Sequence, residues 1–123
     1  PLCGLKQLER LSLFDTLVGD FTLLSACPRL KDLDAGATLA RTPAAFAGLD
    51  GLTSLNLHKL TFDTLNGIDQ LPRLQFFRLG GVAGGDLSPL LALPKLETVL
   101  LDESLRDEAK KIGASAQFTI TYE

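Results

Sequence analysis

The residues able to do chemistry in this chain are few and scattered. His58 is the only histidine. An imidazole needs further ligands to hold a metal, or a neighbouring nucleophile to serve as a base, and nothing around His58 supplies either. Asp32 and Asp34 share one face of a strand, where a cation could bridge them, but no further oxygen ligands converge on the pair and a solvated pair is expected. The stretch GGVAGGD from Gly80 has the glycine density of a phosphate loop. It lacks the GKS or GKT ending and the helix-opening glycine spacing, so a flexible bend is expected. Cys3 and Cys27 are too few for a secreted disulfide framework and lack zinc-knuckle spacing. Without a nucleophile–base pair or a metal cluster, the chain is expected to be non-catalytic, with no cofactor and no metal.

Composition narrows the partners. The 123 residues are 46% hydrophobic and 22% charged, the range of one globular domain with one core. A net charge of -3 gives no broad attraction to phosphate backbones or anionic lipid, so neither nucleic acid nor a membrane surface is expected as partner. No run approaches the roughly 20 apolar residues of a spanning helix, and the start lacks a signal-like segment. Sparse cysteines favour a reducing, cytoplasmic setting. The chain contains no methionine, so a fragment of a larger protein, or a processed product, is expected.

The positioning elements emerge from a repeat. Leu8, Leu30, Leu52, Leu74 and Leu96 stand 22 residues apart, and each opens the pattern apolar-x-x-apolar-x-apolar: LERLSL, LKDLDA, LTSLNL, LQFFRL and LETVLL. All fifteen template positions are apolar, an outcome that chance at this composition gives at about one in a hundred thousand. Three later positions hold the same phase and form the convex-side core: Phe21, Leu24 and Cys27; Pro43, Phe46 and Leu49; Leu65, Ile68 and Leu71; Leu87, Leu90 and Leu93. Cysteine at such a phase acts as a small hydrophobe. Asp20, Thr42, Thr64 and Asp86 precede these sets and are expected to cap a helical turn, with Pro43 at a first helical position. Each unit is a strand, a bend, a capped turn and a return, stable only by stacking on its neighbours.

A 22-residue L-x-x-L-x-L period resembles the leucine-rich-repeat family, in the short class known from protein-phosphatase-1 regulatory subunits. The resemblance covers nearly the whole chain. It implies an α/β solenoid: a right-handed superhelix with a concave parallel sheet and short helical turns on the convex side. The family usually carries asparagine three residues after the strand. Here Thr16, Thr38, Leu60, Val82 and Ser104 take that position, so the bends are expected to be looser or differently hydrogen-bonded. Within the family, Asp86 to Leu101 resembles the C-terminal repeats of bacterial NACHT-type ATPases of the STAND class, relatives of NOD-like receptors. That resemblance implies a ligand-sensing module in antiphage defence; the alternative is a constitutive scaffold or adaptor in a regulatory subunit.

Residues 1–123 are read as one domain of five repeats with a helix-strand cap from about residue 104. PLCGLKQL at the start aligns with PLLALPKL at Pro89–Leu96, so the chain opens halfway through a repeat. An upstream repeat or domain is expected, and an open edge at Leu2 and Leu5 could self-associate in the isolated fragment. Near the end, Ser104 and Asp107 form a capping-box-like pair, Leu105, Ala109 and Ile112 share a helical face, and Gly113 is the stop. Acidic Asp107 and Glu108 early, and Lys110 and Lys111 late, suit the helix dipole. Phe118, Ile120 and Tyr122 then alternate as a half-exposed strand.

Stacked strands place equivalent residues in columns about 4.8 Å apart on the exposed face. The central column is Ser12, Asp34, Asn56, Arg78 and Leu100. One flank is Arg10, Asp32, Ser54, Phe76 and Thr98, and the other is Phe14, Gly36, His58, Gly80 and Asp102. From these, Arg10, Phe14, Asp32, Asp34, Asn56, His58, Phe76, Arg78 and Leu100 are expected to bind a partner, either a protein ligand or an upstream domain of the same chain. Phe76 beside Arg78 has the composition of an interface hot spot.

Overall fold

A computed structural model describes residues 9–15, 29–46, 49 and 51–122. The expectations for Leu2, Cys3, Leu5, Leu8, Thr16, Asp20, Phe21, Leu24 and Cys27 fall outside these described residues. Within them, each L-x-L segment is a strand: β1 (Arg10–Ser12), β2 (Asp32–Asp34), β3 (Ser54–Phe62), β4 (Phe76–Val82) and β5 (Thr98–Leu101). A sixth, β6 (Thr119–Tyr122), follows helix α1 (Arg106–Ile112). The strands form one sheet in chain order, every neighbouring pair parallel.

Register follows the period. Arg10 pairs with Asp32, Asp32 with Ser54, Ser54 with Phe76 and Phe76 with Thr98, so the 22-residue step becomes a sideways step of one strand. Side chains alternate across a strand, and the inward ones, Leu33, Leu55, Leu57, Phe77, Leu79, Val99 and Leu101, are wholly buried. Each full burial of such a side chain contributes about 1.5–3 kcal/mol. Opposite the sheet stand short 3-10 turns at Pro43–Phe46, Ile68–Gln70 and Ser88–Ala92. Their buried residues include Phe46, Ile68 and Leu90, and Leu49, Leu65, Leu71, Leu87 and Leu93 complete the expected convex phases. Pro43 begins its turn as expected. Thr64 and Asp86 accept the N–H groups of Asn66 and Ser88, each two residues on. They shape the entry to the turn and are not its formal caps.

Two expectations change and a third narrows to one of its two alternatives. Asp102, not Ser104, starts the final helical segment: its carboxylate accepts the Ser104 N–H at the head of a 3-10 turn, Glu103–Leu105, that leads into α1. Ser104 is thereby the capped residue, and Leu105, Ala109 and Ile112 are buried as read. GGVAGGD is only partly a bend, since Gly80 and Gly81 are inside β4 and the turn begins at Ala83. The bends that end β1 and β2, and the bulge within β3, are differently hydrogen-bonded rather than loose. Asp34 and Asn56 accept the N–H groups of Gly36 and His58, both at 3.1 Å, and Ser12 makes a longer contact of the same kind with Phe14. The residue after each bend, Asp15, Ala37 or Lys59, has left-handed backbone, and side-chain bonds of this Asx type offset the strain of that conformation. Thr38 adds a buried bond from its hydroxyl to the Ala35 carbonyl at 2.7 Å.

Candidate interaction face

Parallel sheets are normally covered on both faces. Here the inward face carries the core while the outward positions of β2 to β5 are half-buried or, at Lys59 and Thr61, exposed, with no layer of described residues packed over them. The nine expected site residues divide into three groups on this face. On β1 and β2, the Arg10 guanidinium lies 3.9 Å from the Asp32 carboxylate, with Arg10 exposed and Asp32 half-buried. Such a surface pair contributes little to stability. On β4 and β5, Phe76 and Arg78 share the outward side, with Arg78 in register between Asn56 and Leu100. All three predicted binding residues here, Phe76, Arg78 and Leu100, are half-buried.

The third group is a contact that the columns did not foretell. Phe14 and Gly36 were assigned to a strand column, but β1 and β2 end at Ser12 and Asp34, so both residues are in the bends. The Phe14 ring reaches across the intervening Gly36 to stack on His58, with centroids 4.6 Å apart and planes within 6°. Their backbones belong to coils two strands apart, a span of about 9.6 Å at ordinary strand spacing, so the rings lean together. Glycine at position 36 permits this. A Cβ there would stand 2.7 Å from His58 Cδ2 and 2.5 Å from the His58 carbonyl oxygen. His58 Nε2 also lies 3.9 Å from Asp34 Oδ1, and Lys59 Nζ lies 5.9 Å from the Phe14 centroid.

His58 therefore belongs to a structural cluster. Asp34 and Asn56 each spend a side-chain oxygen on a bend, which narrows their predicted binding role to the remaining acceptor or donor. No group of three or more potential metal-ligating side chains occurs among the described residues. No helix among them is long and apolar enough to cross a membrane.

A bulge shapes the next part of the face. Leu57 pairs with Leu79, but Thr61 pairs with Gly81, so His58, Lys59 and Leu60 together oppose Gly80 alone. The bulge lays backbone over Gly80, where a Cβ would come within 2.8 Å of the Leu60 carbonyl oxygen. Beside it opens a groove of ≈ 640 Å³ bordered by His58, Lys59, Thr61, Arg78, Gly80 and Asp102. Asp102 is held below the usual aspartate range by hydrogen bonds from Ser104, first the side chain and then the backbone N–H. Sequence reasoning put Asp102 in the right column but did not select it, and it passed over Lys59 and Thr61. The available signal was the alternation of large residue and glycine, Phe14, Gly36, His58, Gly80 and Asp102, at 22-residue steps.

The parallel ladder, its 22-residue step and the turn-backed core define a leucine-rich-repeat solenoid. Among solved structures, an internalin C2 from Listeria monocytogenes is similar over 99% of this chain and 54% of its own, at 23% identity and a TM-score of 0.75. An internalin, inlF, from the same organism is similar over 98% of this chain and 45% of its own, at 19% identity and a TM-score of 0.58. This chain thus spans about half the length of the structures it matches, and the likeness is one of fold. No family model matches the sequence, and no curated protein does.

Proposed function

We propose that this chain is a non-catalytic protein-recognition module that binds its partner on the outward face of the sheet. The observation that carries this reading is the side-by-side placement of Phe76, Arg78 and Leu100 on regular strands, outward from a core that does not need them. Aromatic and arginine side chains on a rigid frame are the residue types that dominate interface energetics. The titratable candidates are otherwise engaged: His58 stacks on Phe14, Asp34 holds a bend, and Asp102 starts a turn. Residues 1–123 act in this reading as one repeat domain of a larger cytoplasmic protein.

Its narrower form is a C-terminal ligand sensor of a NACHT-type ATPase in antiphage defence, supported by the resemblance of Asp86 to Leu101. The test of recognition is the double substitution Phe76→Ala with Arg78→Ala, measured by titration calorimetry against the protein that co-purifies with the parent. Loss of two or more central anchors of this kind raises the dissociation constant by at least about thirtyfold, from about 2 kcal/mol or more. Leu39→Ala and Leu91→Ala, at exposed positions off the sheet, leave it unchanged. Equal affinity in the face variant would remove this surface. A phosphate-binding GKS or GKT motif upstream of Pro1 in the parent supports the sensor form, and its absence removes it.

A further inference from the structure

The sheet ends on β6, and the two sides of that strand are not alike. One side is bonded to β5: the Thr119 N–H donates to the Glu97 carbonyl at 2.9 Å, and Thr119 to Tyr122 run in register with Thr98 to Leu101 without a bulge. Backbone groups of successive residues turn to alternate sides of a strand, so the N–H and carbonyl of Ile120, the N–H of Tyr122 and the carbonyl of Phe118 point to the other side. Among the described residues no element pairs there. Proteins normally blunt such an edge with a charge, a proline or a bulge. The segment from Phe118 to Tyr122, FTITY, has none of these. Its last ring is held in place, with the Arg106 guanidinium 4.1 Å from the Tyr122 centroid and itself bonded to Glu103.

We infer that β6 is a self-pairing edge, which joins a second copy of this chain antiparallel about a twofold axis at Ile120. The sequence selects this occupant, because FTITY reads nearly the same in both directions. An antiparallel pair centred on Ile120 sets Ile120 against Ile120, Thr119 against Thr121 and Phe118 against Tyr122 of the second copy. The backbone phase agrees independently. The two Ile120 residues exchange both of their outward bonds, and each Tyr122 N–H meets the Phe118 carbonyl of the second copy. Phe118, Ile120 and Tyr122 are half-buried and packed against the core, so the pair continues that core from one copy into the other, with aromatic against aromatic. Thr119 and Thr121 are exposed and meet on the opposite face. An isologous contact of this kind closes at two copies. It is small beside the about 20–30 residues a side of a stable interface, so the dimer is weak and concentration-dependent. The twofold axis crosses the sheet, so the outward faces of both copies look the same way. Only the value of that paired display rests on the outward face being the recognition surface; the self-pairing does not.

Sedimentation velocity of the full chain, from about 10 μM to about 1 mM where weak pairs dissociate, is expected to show a reversible equilibrium of monomer and dimer. Thr119→Lys with Thr121→Lys sets like charges opposite each other at both ends of the pair and abolishes the dimer. Thr119→Lys with Thr121→Glu sets opposite charges there and restores it. Both variants change exposed side chains, and both lose the bond from the Thr121 hydroxyl to the Val99 carbonyl, so matching melts separate pairing from folding. A monomer at every concentration overturns self-pairing and leaves the edge to a strand of another protein. A dimer that survives the first variant runs through another surface, and equal loss in both variants removes the register; either result overturns the inference. Phe76→Ala with Arg78→Ala is expected to leave the dimer unchanged whatever it does to partner binding. Loss of the dimer in that variant would move the contact to the outward face and overturn the edge.

Discussion

Gly36→Ala tests the lateral packing of the coils with one methyl group. The new Cβ would stand 2.5 Å from the His58 carbonyl oxygen and 2.7 Å from His58 Cδ2, distances that real structures do not tolerate. Rotating the imidazole relieves only the second contact. The first is with the backbone of β3, which is anchored by the fully buried Leu55 and Leu57 and by the bond from the Ala35 N–H to the Asn56 carbonyl at 2.9 Å. Strain of this kind costs about 1–3 kcal/mol. For a domain near this size each kcal/mol lowers Tm by about 4–8 °C, so a fall of about 5–20 °C is expected. Thermal melts followed by circular dichroism measure it. Proton spectra report the cause, because His58 ring signals displaced upfield by Phe14 return toward their free positions. In a His58→Ala background the added cost of the methyl shrinks but persists, since the carbonyl remains. A Gly36→Ala protein with an unaltered melt and unmoved imidazole signals would refute the packing argument.

Three further outcomes follow from other contacts. A double-mutant cycle of Phe14→Ala and His58→Ala should give a coupling of about 0.5–1.5 kcal/mol in urea unfolding, the value of an aromatic pair; strict additivity would remove the stack. Gly67→Ala has open space around its Cβ but left-handed backbone at φ +96°, so it should cost about 1–2 kcal/mol and leave the His58 signals in place. Asp86 and Asp102 are held below the usual aspartate range by Ser88 and Ser104, side chain first and backbone second. A depressed folded-state pKa gives stabilisation that is present above the unfolded value and lost as pH falls through the folded one. Stability should therefore decline in acid below the ordinary aspartate range. Asp102→Asn should flatten that decline in a pH series of melts, and a curve parallel to the parent's would contradict the assignment.

Much of the fold is legible because the period does two jobs at once. Leu33, Leu55, Phe77 and Val99 are at once 22 residues apart, mutually in register and wholly buried. A repeat that keeps its apolar phase thus specifies both the core and the neighbour of each strand. Local departures from the period are where the reading failed. Nothing in LTSLNLHKLTF announces that His58, Lys59 and Leu60 bulge against a single glycine, since both the bulged and the regular strand satisfy the same apolar pattern. The Phe14–His58 stack was hidden for a related reason, as it depends on side chains leaning across Gly36 from two coils away. Asp102 and Ser104 are equally good capping types, and only the end of β5 at Leu101 decides between them. The sixth strand was visible as an alternation at Phe118, Ile120 and Tyr122. Its parallel pairing of Thr98 with Thr119, one residue short of the repeat, was not.

Hydrogen–deuterium exchange of the chain, free and bound to its co-purified partner, tests the central claim most directly. The recognition reading predicts added protection in the outward bends and strands at 54–61, 76–81 and 98–102, with the turns at 66–70 and 88–92 unchanged. Protection confined to those turns, with the sheet segments exchanging as in the free protein, would contradict it.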